Sequence, residues 1–499
     1  MLSFRPGSPS QPSHPLPRTK GYLLLGVAAL AILLYQFVRT ASSYVMSGDL
    51  RDFLQGYSAG QRVLANGWEN LYDLPAQIAF QAQYVARTGV ATTLDALPFV
   101  SLPPTALLFV PVGMLPPSLA AGVWLAVNLT LATLSIAMVA RAVSTPGALG
   151  LGLTHESPSP AWVIAAGVIA VLTYMPLVWG LLIGQSVGFT LFLFSLAYLA
   201  LARGNNRLGG VSLALLAMIK PQLVVGPAVF LVAQRRWSAL ATFIGSGLLL
   251  GAFSLMLVGV SAIGSYLHLL GQMDSFFGDS RLGLYTPLMV NWRSWVARIP
   301  GIDATSGITL TMALTIVTFV VTIYAWRRRA SGGRMFARAY LCFAAAGLIC
   351  SFHSTYQDLI ILLPVGIAAV ALDRDAFALS LLRVRSLSLW ERVGVRAGMR
   401  TSSPHTAPAP IPQPRLKPWP DLAIAAGVLI LIIPSLAWFV VGPHAMARGY
   451  IWATMGAPAL VLIMLATLPP TSRDEDTPRT GLRSSRPATF AGSAKGNLS

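Results

Sequence analysis

Two aspartates three residues apart, Asp49 and Asp52, stand just past the first long apolar run, in the stretch GDLRDFLQGYSAGQRVLANGWENLYD from Gly48 to Asp73. A carboxylate held there can take the proton of an attacking hydroxyl, the work of a general base. The bland alternative for both is a helix N-cap or a solvated interfacial charge. Further polar groups interrupt apolar runs: Gln185, Lys220 with Gln222 beside it, Arg293, His353 and Asp358. A lysine at membrane depth needs an anionic partner, and a phosphate or a carboxylate satisfies it. His353 can contact the same phosphate or pass a proton, or simply cap a helix mouth. Gln185 suits local backbone groups, and Asp358 suits a structural cap or ion pair. Arg293 lies beside Trp292 and Trp295, a mixture fit for headgroups or interfacial anchoring.

The elements that must position these groups are set by composition. Of 499 residues, 55% are hydrophobic and 10% charged, more apolar surface than a water-soluble core hides. The expectation is an all-α polytopic integral membrane protein. The net charge of +18 falls in short loops and tails between apolar spans, the positive-inside pattern, and no nucleic-acid partner is expected. No HExxH or CxxC motif occurs and the six histidines are scattered, so no metal ligands are assigned. Cys342 and Cys350 sit in one apolar run, eight residues apart, too far along a helix for an easy disulfide.

At about 20 apolar residues per crossing, spans fall at 21–39, 118–140, 161–183, 186–202, 238–259, 308–326, 334–352, 359–372, 421–442 and 449–468. Arg18 and Lys20 put the N-terminus in the cytoplasm, and the segment 40–117 becomes the first outer loop. The segment 208–233 has arginines at both ends and is broken at Lys220-Pro221, so it reads as two short helices, 208–219 and 222–233, with Lys220 at the outer turn. LPPTALLFVPVGML, 102–115, is too short and Pro-broken to cross, and reads as a re-entrant or surface helix. Within 52–88, Phe53, Tyr57, Leu64 and Trp68 recur at roughly helical spacing, and a second helix starts near Pro75; both are expected to lie in the membrane interface. A long loop is expected over 260–305. The domain reading is a cytoplasmic tail, 1–20; a transmembrane catalytic module, 21–372; a basic Pro/Ser-rich cytoplasmic linker, 373–420; a transmembrane hairpin, 421–468; and a cytoplasmic tail, 469–499. On this map Asp49, Asp52, Gln185, Lys220, His353 and Asp358 all reach one outer face.

Five stretches in order carry a family resemblance: DFLQGYSAGQRVLANGWENLYD, LPPTALLFVPVGMLPPSLAAGVWLAVNL, GQSVGFTLFLF, GGVSLALLAMIKPQLVVGPAVFLVAQRRW and SFHSTYQDLIILL. Over roughly 48–365 the chain resembles the glycosyltransferase family 87 proteins, integral membrane enzymes of GT-C type. The resemblance implies a GT-C fold of about 10–13 transmembrane helices. It also implies transfer of a hexose, mannose by family expectation, from a polyprenyl-phosphate donor to a hydroxyl of a glycan or glycolipid on the extracytoplasmic side. No cofactor or metal is expected. Placing Asp52-Phe53, with Tyr57 five residues on, over the family's DF…Y pattern ranks Asp52 above Asp49 as base; Tyr57, Gln185, Lys220, Gln222, Arg293, His353 and Asp358 become donor- or acceptor-binding candidates. The expected location is a bacterial inner membrane, with the active site facing periplasm or exterior and both termini cytoplasmic. The block from Ser386 to Pro414 departs from the family and is expected to have no catalytic part. The competing reading is a transporter or flippase for a lipid-linked substrate. Such proteins often carry inverted repeats and mid-span charges in several helices, and this chain shows no convincing repeat.

Overall fold

Apolar runs separated by single Gly, Pro or Asn breaks fold here as helices joined by tight turns. The computed structural model describes residues 51–88, 97–144, 174–276, 289–327 and 333–372, with isolated residues elsewhere and short pieces at 34–43 and 459–467. Asp49, the tail 1–20, the linker 373–420, the span 421–442 and the tail 469–499 lie outside the described residues.

In chain order the helices are α1 (Arg51–Asn66), α2 (Leu74–Thr88), α3 (Pro103–Leu107), α4 (Val110–Gly113), α5 (Pro117–Ser144), α6 (Met175–Leu182), α7 (Val187–Ala202), α8 (Asn206–Ile219), α9 (Val225–Ala233), α10 (Trp237–Val258), α11 (Ser261–Phe276), α12 (Trp292–Val296), α13 (Ala304–Ala325), α14 (Gly333–Cys350) and α15 (Leu362–Leu372). Two 3-10 turns, Pro221–Val224 and Tyr356–Ile361, precede α9 and α15. No strand occurs among the described residues; the one pairing of that kind is an isolated bridge between Met289 and Thr355.

Three of these helices, within α5, α10 and α13, are long and apolar enough to cross a membrane. On α10, Leu248, Leu249 and Met256 are 70%, 73% and 82% exposed. A continuous apolar surface of that kind is stable in lipid and a liability in water. The buried core lies where α5, α7, α8, α9, α14 and α15 meet, and its rings are Phe194, Tyr198, Phe230, Phe336, Tyr340 and Phe343. Gly226 and Gly347 bring α9 and α14 into backbone contact: a Cβ on Gly226 would lie 2.1 Å from the Phe343 carbonyl oxygen.

The Lys220-Pro221 break divides the run 206–233 into α8 and α9, with Lys220 between them. Pro221 supplies no N–H and starts the 3-10 turn. In 102–115 the prolines yield only α3 and α4, of five and four residues. The expected loop over 260–305 contains α11 and α12 instead. Its helical periodicity is real, because Ala262, Tyr266 and Leu269 share one face and pack on Tyr72, Phe99 and Val100. The Tyr266 hydroxyl donates to the Val100 carbonyl at 3.3 Å. The apolar stripe of α1 is also narrower than its spacing suggests: Phe53, Leu54 and Tyr57 are buried, whereas Leu64 is 47% exposed. The helix is clamped beneath α4 and α5 by an aromatic cluster of Phe53, Tyr57, Phe109 and Trp124.

Candidate active site

Hairpin geometry brings Gln185 and Lys220 to one level. After the turn at Gly184-Gln185, α7 runs 16 residues and α8 returns over 14, arms of about 24 and 21 Å at 1.5 Å per residue. The turn between them is closed by Asn205, whose side chain accepts from the Leu208 N–H at 3.1 Å as an N-cap. Equal arms return the chain to its starting level, and the Lys220 ammonium donates to Gln185 Oε1 at 2.8 Å.

The turn that carries Gln185 is itself built from small residues. Gly184 has φ +77, and a Cβ there would lie 2.5 Å from Phe53 Cβ, so the turn and α1 approach too closely for another residue. Trp124 of α5 donates its indole N–H to the Gly184 carbonyl at 2.8 Å. Asn128, one turn on, accepts from the Gly188 N–H at 2.9 Å. The first turn of α1 docks on the same segment, with the Asp52 N–H donating to the Ile183 carbonyl at 3.0 Å. The Gln185 side-chain amide donates to Asp52 Oδ2.

From the other side comes Asp358, in the 3-10 turn before α15. Lys220 Nζ lies 2.6 Å from Asp358 Oδ1, and the two side chains are 14% and 1% exposed. The second carboxylate oxygen accepts from the Thr355 N–H at 3.0 Å. Thr355 is placed by its bridge to Met289 and by the Val290 N–H donating to the Ser354 carbonyl at 2.9 Å. A single chain of polar contacts thus runs Asp52, Gln185, Lys220, Asp358, Thr355, joining residues 133 and 138 positions apart.

Lys220 can only donate, so Gln185 turns its carbonyl oxygen to it and its NH2 to Asp52, whose Oδ2 accepts. The amide orients Asp52. His353 borders the cluster. Burial holds its pKa below the ordinary histidine value; the nearby Asp358 opposes this, and Lys220 and Arg293 reinforce it. Its Nδ1 is buried and makes no hydrogen bond, while its backbone N–H donates to Ser351 Oγ at 3.2 Å. Arg293 belongs to α12, whose N-cap Asn291 accepts from Ser294 N–H and donates to the Ser351 carbonyl at 2.9 Å, tying α12 to the His353 loop.

Of the residues singled out in the sequence, Asp52, Gln185, Lys220 and Asp358 meet directly, with His353 and Arg293 alongside. Tyr57 lies one turn beyond Phe53 in the aromatic layer, its hydroxyl donating to the Leu115 carbonyl at 2.9 Å. Burial raises its pKa against a smaller lowering from Gln61, and neighbouring Tyr84 is pushed up to about 12 by burial and by Tyr57. These phenols are protonated at neutral pH. Gln222 is half-buried on the Pro221–Val224 turn, outside the polar chain. Among the described residues no three His, Cys, Asp or Glu side chains group as a metal site. Trp124, Asn128, Thr355 and Asn291 hold the cluster in place and were not singled out by spacing. A sequence signal existed only for the last two, as Asn or Thr immediately before a short helix.

No curated protein and no solved structure matches the chain. The family model described as Glycosyltransferase family 87 matches residues 99–352. That range, half of the chain, holds Gln185, Lys220 and Arg293; Asp52 precedes it, and His353 and Asp358 follow it by a few residues. With half its length matched, and the match running through the helices that build the polar cluster, the chain belongs to glycosyltransferase family 87.

Proposed function

We propose that this family member is a membrane enzyme of GT-C type that moves a hexose, mannose by family expectation, from a polyprenyl-phosphate donor to a hydroxyl of a glycan or glycolipid, with Asp52 as the general base. The observation that carries the reading is the oriented Asp52 carboxylate, hydrogen-bonded through Gln185 to Lys220 and Asp358. The acceptor oxygen bonds to the anomeric carbon as that carbon's bond to the phosphate oxygen breaks. The hydroxyl proton passes to Asp52, and polyprenyl phosphate leaves with the bonding electrons. Gln185 donates to Oδ2 and so orients the carboxylate for the acceptor hydroxyl.

Lys220 has three N–H donors, of which Gln185 and Asp358 engage two; the third is assigned to a donor phosphate oxygen. Arg293 adds a second positive charge near that end, and His353 offers its neutral ring to a phosphate or sugar group. No metal is needed for a leaving group that already departs as a stable phosphate monoester. The positive-inside pattern supports an extracytoplasmic position for this end of the helices and a cytoplasmic one for both termini, in a bacterial inner membrane by family expectation. Purified protein in lipid, given radiolabelled polyprenyl-phosphate mannose or a nucleotide-linked mannose, tests the donor class. Consumption of the lipid-linked donor alone is expected, and turnover of the nucleotide sugar alone would contradict the reading.

A further inference from the structure

At the opposite end of the same helices lies a second site. Helices α5 and α7 run side by side in the same direction, joined at the cluster end through Asn128 and Gly188. About 20 Å further along, at 1.5 Å per residue, they flank a cavity of about 480 Å³ lined by Met138, Arg141, Leu196, Leu199, Arg203 and Leu208. The walls are apolar, and two exposed arginines from different helices stand at its rim. Among the described residues no acidic side chain lines it. The distance from the polar cluster approaches one hydrocarbon thickness, roughly 30 Å, so the arginines sit where headgroups of the other leaflet would be.

We infer that this groove binds an anionic glycerophospholipid, its phosphate on Arg141 and Arg203 and a length of acyl chain along Leu196 and Leu199. Apolar walls beneath a cationic rim match an amphiphile with a negative head. Basic pockets between membrane helices recognise headgroups in this way, and guanidinium forks suit phosphate oxygens. The volume lies within the range of small-molecule sites, about 300–1,000 Å³, too small for a whole lipid and sufficient for one chain segment. The inference does not depend on the glycosyl-transfer reading.

The full-length protein, carried through detergent into vesicles of phosphatidylcholine with a minor share of phosphatidylglycerol, is recovered and its retained lipids are counted by mass spectrometry. Phosphatidylglycerol is expected to be enriched over phosphatidylcholine on the wild type. Arg141→Gln with Arg203→Gln should cut that enrichment at least about tenfold, from about 1 kcal/mol per charge, while the paired Arg→Lys variant retains most of it. Leu208→Trp, which fills the mouth without touching either charge, should also reduce it and covers the case of a glutamine pair that fails to fold. Undiminished enrichment in the glutamine or tryptophan variants would overturn the inference. So would loss of the bound lipid to inorganic phosphate alone, which would make the groove an ion site.

Discussion

The chemistry of the cluster rests on a few side chains whose charges must balance in low dielectric. Asp358 is almost fully buried on Lys220, so Lys220→Met should leave an uncompensated carboxylate and destabilise the fold by about 3–5 kcal/mol. Adding Asp358→Leu should restore much of that loss, because removing both charges avoids the stranded one; unfolding in detergent measures both. His353 gives a second test. The unfolded imidazole binds its proton near pH 6.5, whereas burial keeps the folded one neutral to lower pH. Between those values the unfolded chain holds more protons, so stability should fall as pH drops below about 6.5. In His353→Asn the fall should shrink; an unchanged pH dependence would contradict the assignment. At this scale the candidate residues were legible in the sequence because isolated polar groups in apolar runs are rare. Their mutual contacts were not legible: nothing in a one-dimensional spacing tells Gln185 to sit between Asp52 and Lys220.

The helices explain why those contacts form. The α7–α8 hairpin places its two ends together by matched length, and its start depends on Gly188, where an added Cβ would lie 2.1 Å from the Asn128 carbonyl oxygen. Gly188→Ala should therefore cost roughly 1–3 kcal/mol of overpacking and lower turnover more than donor affinity, since the Gln185 turn is displaced. Inserting one alanine within α8 should rotate Lys220 by about 100° and abolish transfer with little change in expression. The hairpin, the Lys220-Pro221 break and the failure of 102–115 to form a long helix could all be read from Pro placement and from the Arg203–Arg207 turn. Helix α11 could not, because its buried face is short and packs against Tyr72, Phe99 and Val100, residues far away in the chain. Leu64 misled in the opposite sense: it continues the apolar spacing of α1 but points away from the packed face.

Across the whole molecule, one end of the helical bundle carries the Asp52–Lys220–Asp358 cluster and the other the arginine-rimmed groove. In the proposed orientation these ends face the outside and the cytoplasm. Glu69, exposed in the α1–α2 turn, offers a probe of that assignment. In a chain with Cys342 and Cys350 replaced by alanine, Glu69→Cys should react with a membrane-impermeant maleimide added to intact cells, and labelling only after disruption would reverse the map. Composition was enough to read a helical membrane protein, and loop charge supplied the orientation that this labelling tests; neither carries information on the sugar or the acceptor. The central claim is that Asp52 removes the acceptor proton. Its most direct test is the rate of sugar transfer from a polyprenyl-phosphate donor by Asp52→Asn protein alongside the binding of that donor. Asparagine preserves the size of the side chain and cannot take the proton, so transfer should fall by at least about 100-fold with donor binding retained. Transfer at the wild-type rate would contradict the account.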